Sequence, residues 1–159
     1  MQMRIGQGFD RHRLTEGDGF PLGGVAIDAS VAVVAHSDGD VLLHALIDAL
    51  LGATGRGDIG DWYPPSDPSF RDASSVDLLD NVLRELRPRW RIVNIDATVF
   101  LQRPKLSGYK PQIVDRIAQL CDVPSGVVNV KAKTGEQVGP VGRGEAVDAA
   151  VTVLLEIAG

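Results

Sequence analysis

The stretch Asp40-Val-Leu-Leu-His44-Ala-Leu-Ile-Asp48-Ala-Leu-Leu51 reads as a helix that is apolar almost all the way round, and such a helix has to be buried. Asp40, His44 and Asp48 interrupt it at a spacing of four, which stacks them as one polar stripe. Burying two carboxylates and an imidazole unpartnered would cost about 2–7 kcal/mol per group. Any fold built on this helix must therefore supply a cation, a hydrogen-bonded shell, or a wet subunit boundary. Ser37 or Asp38 is expected as the N-cap, with Asp38 and Asp40 complementing the helix dipole. Helix N-termini also hold phosphate, but two nearby carboxylates would repel one, so phosphate here would need a cation as well.

The flanking segments alternate between strand and helix patterns. Residues 2–9 read as a strand running into Asp10-Arg-His12, whose outer two residues share a face if the strand continues. Segments 22–27 and 31–34 read as short strands around a turn at 28–30. A long loop with three prolines spans 61–73, and its Trp62, Tyr63 and Phe70 are expected to pack on something. Asp58 lies in a glycine-flanked segment, where a ligand contact and an Asx-type turn are equally good readings. Helices follow from Ser74-Ser75 and from Pro111, separated by an alternating strand over 92–102. A strand over 127–133 leads to Thr134-Gly-Glu136 and a glycine-rich run. In 146–158, β-branched residues and unbroken alternation outweigh a helical spacing of Asp148, Thr152 and Glu156, so this is read as a strand. The expected fold is α/β (α+β), a mixed β-sheet with helices on one face, in one domain over 1–159. The other sheet face carries Asn94, Asp96, Thr98, Asn129, Asp148 and Thr152, polar enough for solvent or an interface between subunits.

A net charge of −5 argues against nucleic acid as a partner, since phosphate neutralisation needs a basic face. No apolar run is long enough for a membrane span, and the first residues lack the apolar core of a signal peptide. One cysteine, Cys121, excludes an internal disulfide and suits a cytoplasmic protein.

Asp10, His12 and His44 together supply one carboxylate oxygen and two imidazole nitrogens. Three protein ligands with the fourth position open is the pattern of a catalytic zinc site, and two nitrogens favour zinc over magnesium. Asp40 and Asp48 are the candidates to fix the tautomer of His44 from a second shell. Glu136 offers an oxygen site suited to magnesium or manganese, and Lys105, Lys131, Lys133 and Arg143 could offset phosphate charge.

Gly-Gln-Gly-Phe-Asp10-Arg-His12, His36-Ser37-Asp38-Gly39-Asp40, His44, Gly57-Asp58-Ile-Gly60, Pro104-Lys105, Asn129-Val-Lys131-Ala132 and Gly142-Arg143-Gly144-Glu145 occur in this order. Over nearly its whole length the chain resembles the 2-C-methyl-D-erythritol 2,4-cyclodiphosphate synthases of the non-mevalonate isoprenoid pathway. That resemblance implies a homotrimer with sheets facing its threefold axis and active sites at subunit boundaries. It implies a small-molecule cytidine diphosphate-linked substrate, closed into a cyclic diphosphate with release of CMP. It implies zinc on Asp10, His12 and His44, and magnesium or manganese on Glu136. Substrate contacts fall on Asp10, His12, His36, Ser37, Asp58, Ile59, Gly60 and Arg143, and a cytidine wall on Leu101, Pro104, Lys105, Leu106, Ala132, Lys133 and Thr134. Catalytic roles are implied for His36, Lys133, Thr134 and Glu136. Gln7, Pro65, Lys133 and Pro140 depart from residues seen in some members. Two other readings of the ligand set stand beside it: a metal-dependent phosphohydrolase, which would release hydrolysed diphosphate, and a non-enzymatic trimeric binding module, which would close the zinc site with a fourth ligand.

Overall fold

The structure, a computed structural model, describes residues 2–64, 66–70 and 73–158. Its strands are β1 (Met3–Glu16), β2 (Phe20–Leu22), β3 (Val25–Ile27), β4 (Val31–Val34), β5 (Trp90–Phe100), β6 (Val128–Lys133) and β7 (Ala146–Ile157). Its helices are α1 (Val41–Thr54), α2 (Ile59–Trp62), α3 (Ser75–Leu86), α4 (Lys110–Cys121) and α5 (Gly139–Gly142). No helix among the described residues is long and apolar enough to cross a membrane.

Five strands form one sheet in the order β4-β1-β7-β5-β6. The β5–β6 pair is parallel, with α4 in the crossover that such a pair needs, and the other pairs are antiparallel, so the sheet is mixed. The expected strand over 146–158 is β7, and it sits at the centre of the sheet, where β-branched residues pack on both neighbours.

The segment 22–27 is two strands rather than one. Gly23 and Gly24 adopt φ of 63° and 74°, and β2 and β3 fold back on each other around them as a separate hairpin. Consecutive left-handed residues are what a tight two-residue hairpin requires, and glycine takes them without strain.

The core lies between the sheet and a helix layer led by α1, whose Leu42, Leu43, Leu46, Ile47, Leu50 and Leu51 are fully enclosed. Two glycines of β1 let α1 sit unusually close. A Cβ on Gly6 would stand 1.9 Å from the Ala49 carbonyl oxygen, and one on Gly8 would stand 2.0 Å from that of Ala45. The same face of β1 continues through Asp10, His12 and Leu14.

The opposite sheet face is less polar than expected. Lys131 pairs with Asp96, and Arg11 holds Asp148 through two bonds of 2.6 Å, which buries that carboxylate. Beside them Met3, Ile5 and Phe9 stand exposed on β1, at 48%, 72% and 55% of their surfaces.

Candidate metal centre and active site

Close packing of α1 on β1 brings His44 against the Asp10–His12 face. The three candidate ligand atoms form a nearly equilateral triangle. His44 Nδ1 lies 3.1 Å from Asp10 Oδ2 and 3.1 Å from His12 Nε2, and His12 Nε2 lies 3.2 Å from Asp10 Oδ2. A tetrahedral zinc with arms of about 2.0–2.1 Å has edges of about 3.3–3.4 Å, so the triangle fits one face of that tetrahedron. Two imidazole nitrogens and a carboxylate oxygen are the donor types zinc prefers. Burial lowers the His12 pKa, the neighbouring His44 adds to this, and Asp10 opposes it, so the ring favours the neutral form a metal needs. Burial raises the Asp10 carboxyl, but the imidazoles of His44 and His12 beside it outweigh burial and leave the pKa below its ordinary value.

The rest of the polar stripe behaves differently from expectation. Asp40, not Ser37 or Asp38, is the N-cap of α1, accepting from Leu43 N–H at 3.0 Å. Its two oxygens also accept from the hairpin, from Gly23 N–H at 2.8 Å and Gly24 N–H at 2.7 Å. Asp48 accepts from Ile59 N–H at 2.8 Å and thereby ties α2 to α1. Neither carboxylate hydrogen-bonds to the His44 ring. Both are spent on backbone donors, the cheaper use of a carboxylate at the edge of an apolar helix. The partner of His44 Nε2 is instead Ser75 Oγ at 2.8 Å, with Ser37 Oγ at 3.2 Å. Ser75 was legible only as a helix start, and nothing local to His44 points to it.

Beside the triad opens a cavity of about 270 Å³, lined by His12, His36, Ser37, His44, Ile59, Gly60, Tyr63 and Phe70. Tyr63 and Phe70 stack edge to face at 5.2 Å, and the Tyr63 hydroxyl donates to Leu78 O at 3.1 Å. Tyr63 and Phe70 thus form one wall of this cavity, whereas Trp62 belongs to α2 and donates its indole N–H to Arg56 O at 3.0 Å; Pro65 lies outside the described residues. Asp58 serves as a cap: its Oδ1 accepts from Asp61 N–H at 3.0 Å, and Asp61 accepts from Asp58 N–H in return. That is the Asx-type reading, with the carboxylate still exposed beside Gly60.

The remaining expected site residues gather elsewhere. Leu101 N–H donates to Lys133 O at 2.9 Å, and Gly135 N–H donates to the Gln102 side chain at 3.2 Å, so the ends of β5 and β6 form one unit. A second cavity, of about 450 Å³, is bounded there by Gln102, Pro104, Lys105 and Thr134. Leu101 and Leu106 are buried, Ala132 is half-buried, and Lys105 and Lys133 are exposed. Glu136, at φ 50°, accepts the Thr134 hydroxyl at 2.7 Å. Arg143 is paired with Glu145 at 2.9 and 3.0 Å. In this chain the two cavities share no lining residue.

The profile of the YgbB family matches residues 3–156, nearly the whole chain. The chain belongs to the YgbB family. A relative of this family from Halorhodospira halophila, named 2-C-methyl-D-erythritol 2,4-cyclodiphosphate synthase, is 50% identical over 98% of this chain and 97% of its own length. Among solved structures, the bifunctional IspDF of Campylobacter jejuni superposes with a TM-score of 0.94 at 40% identity, covering 99% of this chain and 43% of that longer protein. IspF of Plasmodium falciparum, solved as a CDP complex, superposes with a TM-score of 0.87 at 32% identity, covering 99% of this chain and 97% of that one.

Proposed function

We propose that the protein is a cyclase converting 4-diphosphocytidyl-2-C-methyl-D-erythritol 2-phosphate to 2-C-methyl-D-erythritol 2,4-cyclodiphosphate and CMP. The observation that carries the reading is the Asp10–His12–His44 triangle at the edge of a cavity flanked by His36 and Ser37. The relatives that bear the synthase name over nearly their full length support it. An oxygen of the 2-phosphate attacks the β-phosphorus, the bond from that phosphorus to the oxygen bridging to the α-phosphate breaks, and CMP leaves with that oxygen. Intramolecular phosphoryl transfer of this kind needs alignment and charge neutralisation more than it needs a side-chain nucleophile. Cys121 is no candidate nucleophile, because burial pushes its thiol up to about 12.

Zinc held by Asp10, His12 and His44 would supply a Lewis acid for phosphate oxygens. His36 and Ser37 bind the phosphate beside the triad, and Asp58, Ile59 and Gly60 hold the erythritol hydroxyls. Leu101, Pro104, Lys105, Leu106, Ala132, Lys133 and Thr134 wall the cytidine, Lys133 offsets phosphate charge, and Glu136 would hold magnesium or manganese. Arg143, exposed and paired with Glu145, would offer positive charge to substrate phosphate. The two cavities without a common lining residue support a site completed by a neighbouring copy. The exposed Met3, Ile5 and Phe9 support a homotrimer closed on the sheet faces. The free, buried Cys121 agrees with a cytoplasmic location, and the family match supports one synthase domain over 1–159.

Incubation with the cytidylyl substrate and phosphorus NMR is the test. CMP with a cyclic diphosphate is expected. Hydrolysed diphosphate would favour a phosphohydrolase, and unchanged substrate a binding module.

A further inference from the structure

We infer that Asp38 and Ser75 form a positioning relay that sets the tautomer of His44, and through it the affinity of the triad for its ion; the inference rests on the zinc reading above. The Asp38 carboxylate accepts on both oxygens. Oδ1 takes the Asp40 N–H at 3.2 Å and the Ser75 hydroxyl, and Oδ2 takes the Ser75 N–H at 3.0 Å. Ser75 is wholly enclosed and has a single hydroxyl proton. With that proton directed at Asp38, Ser75 Oγ can only accept from His44 Nε2, 2.8 Å away. The imidazole proton therefore sits on Nε2. A neutral ring carries one such proton, so Nδ1 presents its lone pair, and Nδ1 is the atom that meets Asp10 and His12.

The other contact of Nε2 agrees with this direction. Ser37 Oγ lies 3.2 Å from it and accepts the Gly39 N–H, and its second lone pair leaves room to accept from Nε2 as well. The opposite tautomer would aim an N–H into the triangle and exclude a cation. Shape does not choose between the two, because both have the same heavy atoms. Asp10 Oδ2, 3.1 Å from Nδ1, favours a proton there when no ion is bound. The Asp38 carboxylate, 37 residues distant from the serine it grips, opposes it through Ser75 and draws the proton to Nε2.

A purely structural account covers only half of these contacts. Ser74, the N-cap of α3, makes no side-chain cap bond, and Asp38 fills that role through the Ser75 N–H. That leaves unexplained why the buried hydroxyl is turned toward an imidazole. Outer partners of metal-bound histidines commonly tune affinity 10–100-fold.

The test uses full-length metal-free protein with ¹⁵N-labelled histidine. Side-chain ¹⁵N–¹H correlation reads the His44 tautomer, zinc competition against a chromophoric chelator reads affinity, and thermal melts report folding. Wild type should carry the proton on Nε2. Asp38→Asn can turn its amide N–H toward Ser75, freeing the hydroxyl to donate to His44. This nearly isosteric change should move the proton to Nδ1 and weaken zinc 10–100-fold. Ser75→Ala should give mixed tautomers and a comparable loss. A wild-type proton on Nδ1 overturns the relay, and so does a Ser75→Ala protein with unchanged tautomer and zinc affinity. If Asp38→Asn does not fold, Ser75→Ala alone decides. A wild type that binds no zinc overturns the zinc reading instead, while the tautomer still reports on the relay.

Discussion

Asp40 joins several parts of the architecture through one side chain. One buried carboxylate caps α1 and ties down both backbone N–H groups of the Gly23–Gly24 turn, so it joins the central helix to the hairpin. Asparagine would keep one acceptor oxygen but set an NH₂ group against backbone donors. Asp40→Asn should cost about 2–3 kcal/mol in chemical denaturation, with the slope against denaturant unchanged. Glu136 is a contrasting case, exposed and bonded only to its own turn. Glutamine retains that hydrogen bond and removes the charge. Glu136→Gln should keep its zinc and its fold while turnover falls about 100-fold, with added manganese restoring only part of it. Wild-type turnover at low magnesium would rule out a second metal at this position.

Among the elements, β1 and α1 show why only part of the site could be read from the chain. The alternation of β1 put Asp10 and His12 on one face, and the helical spacing of α1 stacked Asp40, His44 and Asp48. What periodicity cannot specify is which distant donor each carboxylate meets: the spacing points Asp40 and Asp48 at His44, whereas their partners are the hairpin and α2. Ser75 was missed for the same reason, since its link to His44 is purely tertiary. The hairpin is different: Gly23-Gly24 is itself a two-residue turn signal, set inside an apolar run. Nor did local sequence reveal that Gly6 and Gly8 are spacers. Gly8→Ala would set a methyl group 2.0 Å from the Ala45 carbonyl and force α1 off the strand. A loss of about 3 kcal/mol in stability is expected, together with weaker zinc binding, because Ala45 adjoins His44. Full zinc affinity in this variant would show that the triad does not depend on that packing.

At the level of the whole molecule, the two separate cavities give a sharp prediction for mixed assemblies. His44→Ala damages one half-site and Lys105→Glu the other, and each protein alone should be nearly inactive. If copies complete each other's sites, co-refolded mixtures contain some boundaries where two intact halves meet. Random mixing at equal ratio should restore about a quarter of wild-type turnover, since each half is intact on half the chains and one boundary needs both. No recovery in mixtures verified by mass spectrometry would place the whole site within one chain.

The two-sidedness of β1 also limits how such a chain can change over evolutionary time. One face of the strand carries the glycine spacers and the candidate metal ligands Asp10 and His12, and the other carries Ile5, Phe9 and Arg11. A substitution in this segment touches one face. An insertion or deletion of a single residue between Gly6 and His12 exchanges the faces of everything beyond it. Helix contact, ligand set and outward surface would then fail together, with no intermediate that loses only one of them. Lineages descending from this sequence should therefore explore β1 by replacement alone, while length variation accumulates in connections such as the one around Gly108, where an added Cβ meets no atom within 4 Å.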